Sequence, residues 1–342
     1  MKKMNAKISI APMVDRTDRH FRYFSRIMTK ETLLYTEMIT AQAILNGDRN
    51  RLLDFNPIEK PLALQIAGCN PREIYEAVKI AEAWDYDEIN LNAGCPSDRV
   101  AGNEMGAVLM AYPHLVAEMV EAMRKATNKP VTVKNRIGIE GKNVLPKSFE
   151  RTLLDKYEDM DNFIDIVSKA GANTFIIHAR IAILEGLSPK ENREIPPIRY
   201  EDVYRFKKEH PNLNIVINGG IRTKEGIKKH LELVDGVMIG REAYENPYFL
   251  TCFDDFFPGK ISEGITRRQI LERFIPYVEE EEKKGNSINS LLRHTLNLFY
   301  EKKGSRLFKQ LITPPYEKGM NSGKILNKAL KLLPQEILDE EL

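Results

Sequence analysis

Eight short apolar or β-branched runs punctuate the first 241 residues, at positions 8–13, 33–38, 62–66, 88–92, 131–136, 174–180, 214–220 and 236–241. Longer helical patterns lie between them, among them 71–84, 114–127, 162–170, 200–210 and 224–233. Strands that alternate with helices build parallel βαβ units, and eight such units predict an α/β fold, a closed (β/α)8 TIM barrel, over residues 1–250. An open doubly wound sheet would carry a Gly-x-Gly-x-x-Gly turn after its first strand. Ala11-Pro-Met-Val-Asp-Arg16 offers none. Phe256-Phe-Pro-Gly259 breaks the rhythm, and beyond it strand signals cease. Helical patterns at 266–284, 290–300, 305–311 and 323–333 predict a small all-helical domain over residues 260–342.

Charge narrows the class. Basic and acidic residues number 51 and 49, so no global field advertises a polyanionic partner. Three cysteines, Cys69, Cys95 and Cys252, are odd in number and unpatterned, which argues against a disulfide framework and against a zinc site. No run approaches the roughly 18 apolar residues of a membrane span, and the N-terminal lysines precede no signal-like apolar core. The expectation is a reducing-compartment, cytoplasmic protein without a membrane partner or an evident obligate protein partner.

The segment Glu88-Ile-Asn-Leu-Asn-Ala-Gly-Cys-Pro-Ser97 runs a strand into a turn that presents a thiol, Cys95, three residues after a carboxamide, Asn92. Gly94 and Pro96 restrict that turn, since Gly opens unusual dihedrals and Pro locks φ. A lone cysteine is commonly just a small buried hydrophobe. The other strand ends change the balance: they carry Pro12-Met13-Val14, Glu37, Gln65, Lys134 and Arg136, His178 and Arg180, Asn218-Gly219-Gly220, and Gly240-Arg241. Chemistry in such a barrel sits at the C-terminal strand ends, and the loops after strands seven and eight often cradle phosphate. Two bare glycines at 219–220 and a guanidinium at Arg241 suit a phosphorylated, mononucleotide-sized cofactor. Lys134 and Gln65 would reach the polar edge of a flat ring and stabilise negative charge on a reduced flavin. In the helical region, residues 286–332 hold nine basic residues, Arg293 and Arg306 among them, against Glu301 and Glu317. Such a run is commonly a solvated face, and it is also what an RNA-backbone surface needs.

These residues carry a resemblance. Ile10-Ala-Pro-Met, Leu34-Tyr-Thr-Glu-Met38, Ala63-Leu-Gln65, Asn90-Leu-Asn-Ala-Gly-Cys-Pro-Ser97, Val133-Lys-Asn-Arg136, Ile177-His-Ala-Arg180, Asn218-Gly-Gly-Ile221 and Gly240-Arg241 resemble the tRNA-dihydrouridine synthase family. Leu187-Ser-Pro-Lys-Glu-Asn-Arg-Glu-Ile-Pro-Pro197 is similar to its A subfamily, which acts on uridines 20 and 20a of the tRNA D-loop. The resemblance implies an FMN-binding barrel followed by a helical tRNA-binding domain, with NADPH as reductant. It implies that Cys95 is the general acid and that Asn92 positions the uracil. FMN would be held by Pro12, Met13, Val14, Gln65, Lys134, His178, Asn218, Gly219, Gly220, Gly240 and Arg241. Arg180, Lys190, Arg193, Arg293 and Arg306 would contact tRNA. A thiol is a weak enough acid to stay protonated near neutrality and still donate to carbon, so the expected chemistry is acid catalysis, not nucleophilic attack.

Residues 138–161 are longer than the family pattern and read as an insertion, a surface elaboration after the fifth strand. Two rival readings are an FMN barrel acting on a free pyrimidine, in the manner of dihydroorotate dehydrogenases, and a non-catalytic RNA-binding barrel. The first would not need a basic helical appendage, and the intact Cys95, Lys134 and His178 set argues against the second.

Overall fold

A computed structural model describes residues 7–96, 105–142, 145 and 151–341. The chain forms two compact units. One comprises Met1–Pro12, Leu33–Phe55 and Lys60–Ile239, and the other Met13–Thr32, Asn56–Glu59 and Gly240–Leu342.

The first unit is a barrel of strands β1 (Ile8–Ile10), β2 (Leu34–Thr40), β3 (Leu62–Ala67), β4 (Glu88–Ala93), β5 (Val131–Arg136), β6 (Thr174–His178), β7 (Asn214–Asn218) and β8 (Gly236–Ile239). All neighbours pair in parallel, in the order β1-β8-β7-β6-β5-β4-β3-β2. Ser9 bridges Leu33, with Ile10 N–H donating to Leu33 O at 3.0 Å and Leu33 N–H to Ile8 O at 3.2 Å, which closes the ring. Helices cover the outside. Pro71–Ala81 starts with Pro at its first turn and with Asn70 accepting from the N–H groups of Arg72 and Glu73. Its stripe Ile74, Ala77, Val78 and Ala81 is buried, as is Val116, Met119, Val120 and Met123 of the neighbouring helix Pro113–Ala126.

Inside the ring, Ala11, Leu33, Tyr35, Ala63, Ile176, Val216 and Met238 pack as one cluster. The β4 side chains Glu88, Asn90 and Asn92 share the inward face, at period two with Ile89, Leu91 and Ala93 behind them, and all six are buried.

Four strands, β1, β6, β7 and β8, stop short of the runs that foretold them, while β2, β3 and β4 run one or two residues past theirs. β6 stops at His178, and β7 stops at Asn218, where Gly219 and Gly220 turn the chain with φ of +118° and +69°. The expected insertion is partly regular. Ile139–Glu140 pairs antiparallel with Leu153–Leu154 and parallel with Ala182–Ile183, forming a second small sheet. The next helix begins at Tyr157, five residues before the expected 162, where the Asp159 carboxylate accepts the Lys156 N–H at 3.0 Å. Ser97 of the expected Cys95 turn, and residues 143–144 and 146–150 of the expected insertion, lie outside the described residues.

The second unit is helical. Helix Arg267–Lys283 opens with a Thr266–Gln269 capping box, and Ser322–Leu332 packs along it. Helix Arg19–Met28 belongs here too: Phe24 meets Phe274 at 5.1 Å between ring centroids, and Tyr23 stacks on Tyr277 at 3.7 Å. The helix expected at 290–300 is instead Ile288–Leu292 followed by the 3-10 turn Arg293–Thr295. Arg293 and His294 both reach the Asp18 carboxylate, which adjacent residues on an α-helix, about 100° apart, would not do. Among the described residues no helix is long and apolar enough to cross a membrane.

Candidate active site

The turn after β4 is held from below. Asn92 Oδ1 accepts from Gly94 N–H at 3.2 Å and from Cys95 N–H at 3.1 Å, an Asx-type arrangement that fixes the backbone carrying the thiol. From the side, Arg136 Nε donates to Gly94 O at 3.0 Å, while its Nη1 donates to Ile181 O at 2.9 Å and to Asn192 O at 3.0 Å. Cys95 is half-buried, and its carbonyl accepts from Ala107 N–H at 2.8 Å.

Strand register brings the remaining barrel residues to the same end. Asn92 lies beside Lys134, Arg136 beside His178, and His178 beside Asn218. Lys134 Nζ donates to Asn218 Oδ1 at 3.2 Å, and Asn218 Nδ2 donates to Met238 O at 2.8 Å. Gln65 Oε1 accepts from Asn92 Nδ2 at 2.8 Å, and Gln65 Nε2 donates to Asn90 Oδ1 at 2.7 Å. Arg180 donates to the carbonyls of Glu194 and Pro196.

This end of the barrel is strongly cationic. Burial, reinforced by Arg136 and opposed by Cys95, holds the Lys134 ammonium down at about 7. Burial likewise lowers Arg136 to about 9, with Arg193 and Arg180 adding repulsion. His178 is driven well below the ordinary imidazole range, by burial first and then by Arg136, Lys134, Arg180 and Arg193. It is a neutral ring among cations, and an anion placed among them would relieve the mutual repulsion.

Gly219 and Gly220 are packed so closely by their neighbours that neither position has room for a side chain. A Cβ at Gly219 would lie 2.6 Å from His178 Cδ2, and one at Gly220 would lie 2.5 Å from Ile198 Cδ1. Tyr200 OH fixes the turn by donating to Gly219 O at 2.6 Å.

The expected residues thus fall into groups. Gln65, Asn92, Cys95, Lys134, His178, Arg180, Asn218, Gly219 and Gly220 share the C-terminal end of the barrel. Pro12 follows β1 in the same unit. Lys190 and Arg193 lie at the 3-10 turn Glu191–Arg193, Lys190 exposed and Arg193 half-buried. Met13, Val14, Gly240 and Arg241 belong to the helical unit, where Met13 O accepts from the N–H groups of Arg16 and Thr17 and Gly240 precedes the short helix Arg241–Glu245. Arg293 and Arg306 are also there. Arg306 is exposed on helix Ser305–Ile312, whereas Arg293 is tied to Asp18 at 2.5 Å.

Some contributors escaped the sequence reading. Asn192, fully buried, accepts from Ile183 N–H and donates to Ile183 O, both at 2.8 Å, so it closes the 183–192 loop on itself. Glu88, Asn90 and Thr132 line the lumen below Cys95. Polar residues at every second position of a buried strand were the available signal.

Comparison with known proteins bears on the fold and the family. The solved 2-naphthoyl-CoA reductase in complex with 2-naphthoyl-CoA matches with a TM-score of 0.53 at 11% identity, covering 78% of this chain and 53% of its own, a likeness of fold alone. This chain spans about half of that reductase's length. A tRNA-dihydrouridine(20/20a) synthase of Synechocystis sp. is 55% identical over 292 residues, 85% of this chain and 84% of its own. Proteins of the same description from Pseudomonas aeruginosa and Vibrio vulnificus are 46% and 47% identical, covering 96% and 97% of this chain and 96% and 98% of their own. The model of the dihydrouridine synthase family matches residues 9–332, which takes in every strand of the barrel from Ser9 onward, the Cys95 turn and most of the helical unit; the chain belongs to that family.

Proposed function

We propose that this protein reduces uridine to 5,6-dihydrouridine at positions 20 and 20a of the tRNA D-loop, in the cytoplasm, using FMN reduced by NADPH. The observation that carries the mechanism is the Cys95 turn, held by Asn92 and Arg136 at the cationic end of the barrel.

The residues present fit a flavin mononucleotide. Lys134 and Arg136, both cations and both desolvated at the same end of the barrel, favour an anion beside them, and the tightly packed Gly219-Gly220 turn holds its main chain at that end. Gln65, Lys134, His178, Asn218, Gly219 and Gly220 would hold it, with Pro12 following β1. When bound, FMN would accept a hydride from NADPH and supply it to C6 of uracil.

The chain's own residues would do the rest. Negative charge builds at C5 and O4 as C6 is reduced, and the Cys95 thiol gives its proton to C5. Arg136 and Asn92 keep Sγ in place, since each holds the backbone of that turn. Lys134 and Arg136 stabilise the developing anion through their charge. A stacked uracil cannot enter a barrel mouth, so the base must be extruded from the D-loop. A free-pyrimidine enzyme and a non-catalytic RNA binder are not favoured, because the relatives are described as tRNA-dihydrouridine(20/20a) synthases.

Mapping dihydrouridine in tRNA from cells lacking the gene tests the activity. Loss at 20 and 20a, restored by the gene, is expected, and unchanged modification at both would overturn the reading. Cys95→Ala tests the mechanism. NADPH should still bleach its bound flavin at the parent rate, while reoxidation by tRNA slows by about 10²–10⁴-fold, the weight of a positioned general acid. Cys69→Ala should change neither half-reaction. Reoxidation of Cys95→Ala at the parent rate in stopped-flow traces would sink the assignment.

A further inference from the structure

A continuous file of hydrogen bonds runs down the barrel lumen from the Cys95 turn. Cys95 and Gly94 N–H donate to Asn92 Oδ1. Asn92 Nδ2 donates to Gln65 Oε1 at 2.8 Å, Gln65 Nε2 to Asn90 Oδ1 at 2.7 Å, and Asn90 Nδ2 to Thr132 Oγ1 at 2.8 Å. The Thr132 hydroxyl then donates to Glu88 Oε1 at 2.6 Å, and Tyr35 OH donates to the same oxygen at 2.6 Å.

The direction of this file is fixed at both ends. Backbone N–H groups can only donate, and they face Asn92 Oδ1. At the other end two hydroxyls converge on one carboxyl oxygen, which accepts from both. Between them each carboxamide spends one donor and one acceptor, so flipping any single amide would set donor against donor. Gln65, Asn90, Thr132, Glu88 and Tyr35 are each no more than 4% exposed, which leaves bulk water no room to repair a break. Glu88 to Asn92 spans about 13 Å of strand, so a group at the far end of the lumen is coupled to the turn.

We propose that Glu88 is a positioning residue for Cys95, the terminal acceptor that orients Thr132, Asn90, Gln65 and Asn92 and thereby fixes the turn presenting the thiol. Its catalytic consequence rests on Cys95 being the proton donor, but its effect on the turn is measurable without that reaction.

Thr132→Val removes the hydroxyl at nearly constant shape, and Thr132→Ser keeps it. In the protein as purified, without tRNA, alkylation of Cys95 by iodoacetamide is followed by mass spectrometry against Cys69 in the same sample. The Cys95-to-Cys69 rate ratio should rise about fivefold in Thr132→Val, the weight of one ordinary hydrogen bond in a local opening. Thr132→Ser should return it to the parent value, as should Glu88→Gln, which keeps an accepting oxygen. A merely space-filling role would lower thermal stability in Thr132→Val without moving the ratio, and that outcome overturns the proposal. If Thr132→Val does not fold, amide exchange in the parent decides. Gly94 and Cys95 N–H should exchange slowly, and exchange at the rate of open loop amides overturns the proposal. Neither readout depends on uridine reduction, so a failed function assignment would show separately in the tRNA half-reaction.

Discussion

Lys134 shows how one side chain ties stability to binding. Its ammonium titrates at about 7 in the folded protein against 10.5 when free. Between those values the unfolded chain binds the proton and the folded one does not, so stability rises with pH across the window. Below about 7 both states are charged, and the fold bears the full cost of desolvating the cation. Lys134→Met should therefore stabilise the ligand-free protein most at pH 6–7, with the advantage shrinking towards pH 10. Urea unfolding of both proteins at several pH values checks this, and a pH-independent difference would contradict it. Lys134 and His178 were legible in the sequence because they stand at strand ends, where a βα-barrel keeps its chemistry. Glu88 and Asn90 were not, since barrel lumens are ordinarily filled with branched apolar side chains. Only the fold brings Tyr35, Gln65 and Thr132, from three other strands, against them.

At the scale of elements, the chain's alternation of runs placed all eight strands, and it misjudged what happens just beyond them. The residues after His178 and Asn218 continue the run in composition, yet positive-φ glycines and the hydrogen bonds of the loops end the strands there. The 138–161 segment is shaped by pairing with Ala182–Ile183, a partner some forty residues away that no local pattern names. Arg136 makes the same kind of long-range link, joining the Cys95 turn to the loops at Ile181 and Asn192 through three carbonyls. Lysine is a point donor without the fork that reaches three acceptors. Arg136→Lys should therefore raise amide exchange across residues 181–195 by roughly tenfold while leaving the outer helices unchanged. Hydrogen-exchange mass spectrometry would show it, and protection equal to the parent would refute the clamp.

At the scale of the whole molecule, the lopsided charge of residues 286–332 is reduced by acids outside that window. Asp18 takes Arg293, Glu340 takes Lys302 and Glu336 lies 4.0 Å from Lys303, while Glu317 within it takes Lys328. Arg306 and Lys309 remain exposed, side by side along an open groove with Thr313, Pro314 and Pro315. If this face meets the RNA backbone, Arg306→Ala with Lys309→Ala should cut the salt slope of tRNA affinity by about 1–2, one per lost phosphate contact. Arg293→Ala should leave the slope alone and lower the melting temperature instead. Fluorescence anisotropy across a salt series separates the two outcomes. The second unit also has a history written into its connectivity. Asp254 accepts from Thr29 Oγ1 at 2.6 Å and from the N–H groups of Lys30 and Glu31, across 225 residues in the case of Thr29. A ribosome adding about 5–20 residues per second makes Asp254 roughly 10–45 s after Thr29. For that interval the nascent helix Arg19–Met28 holds Phe21 and Phe24, both buried in the finished fold, with their covering residues not yet synthesised. A helix made early in translation is thus among the last to find its place, and its apolar face stays open to a chaperone until then.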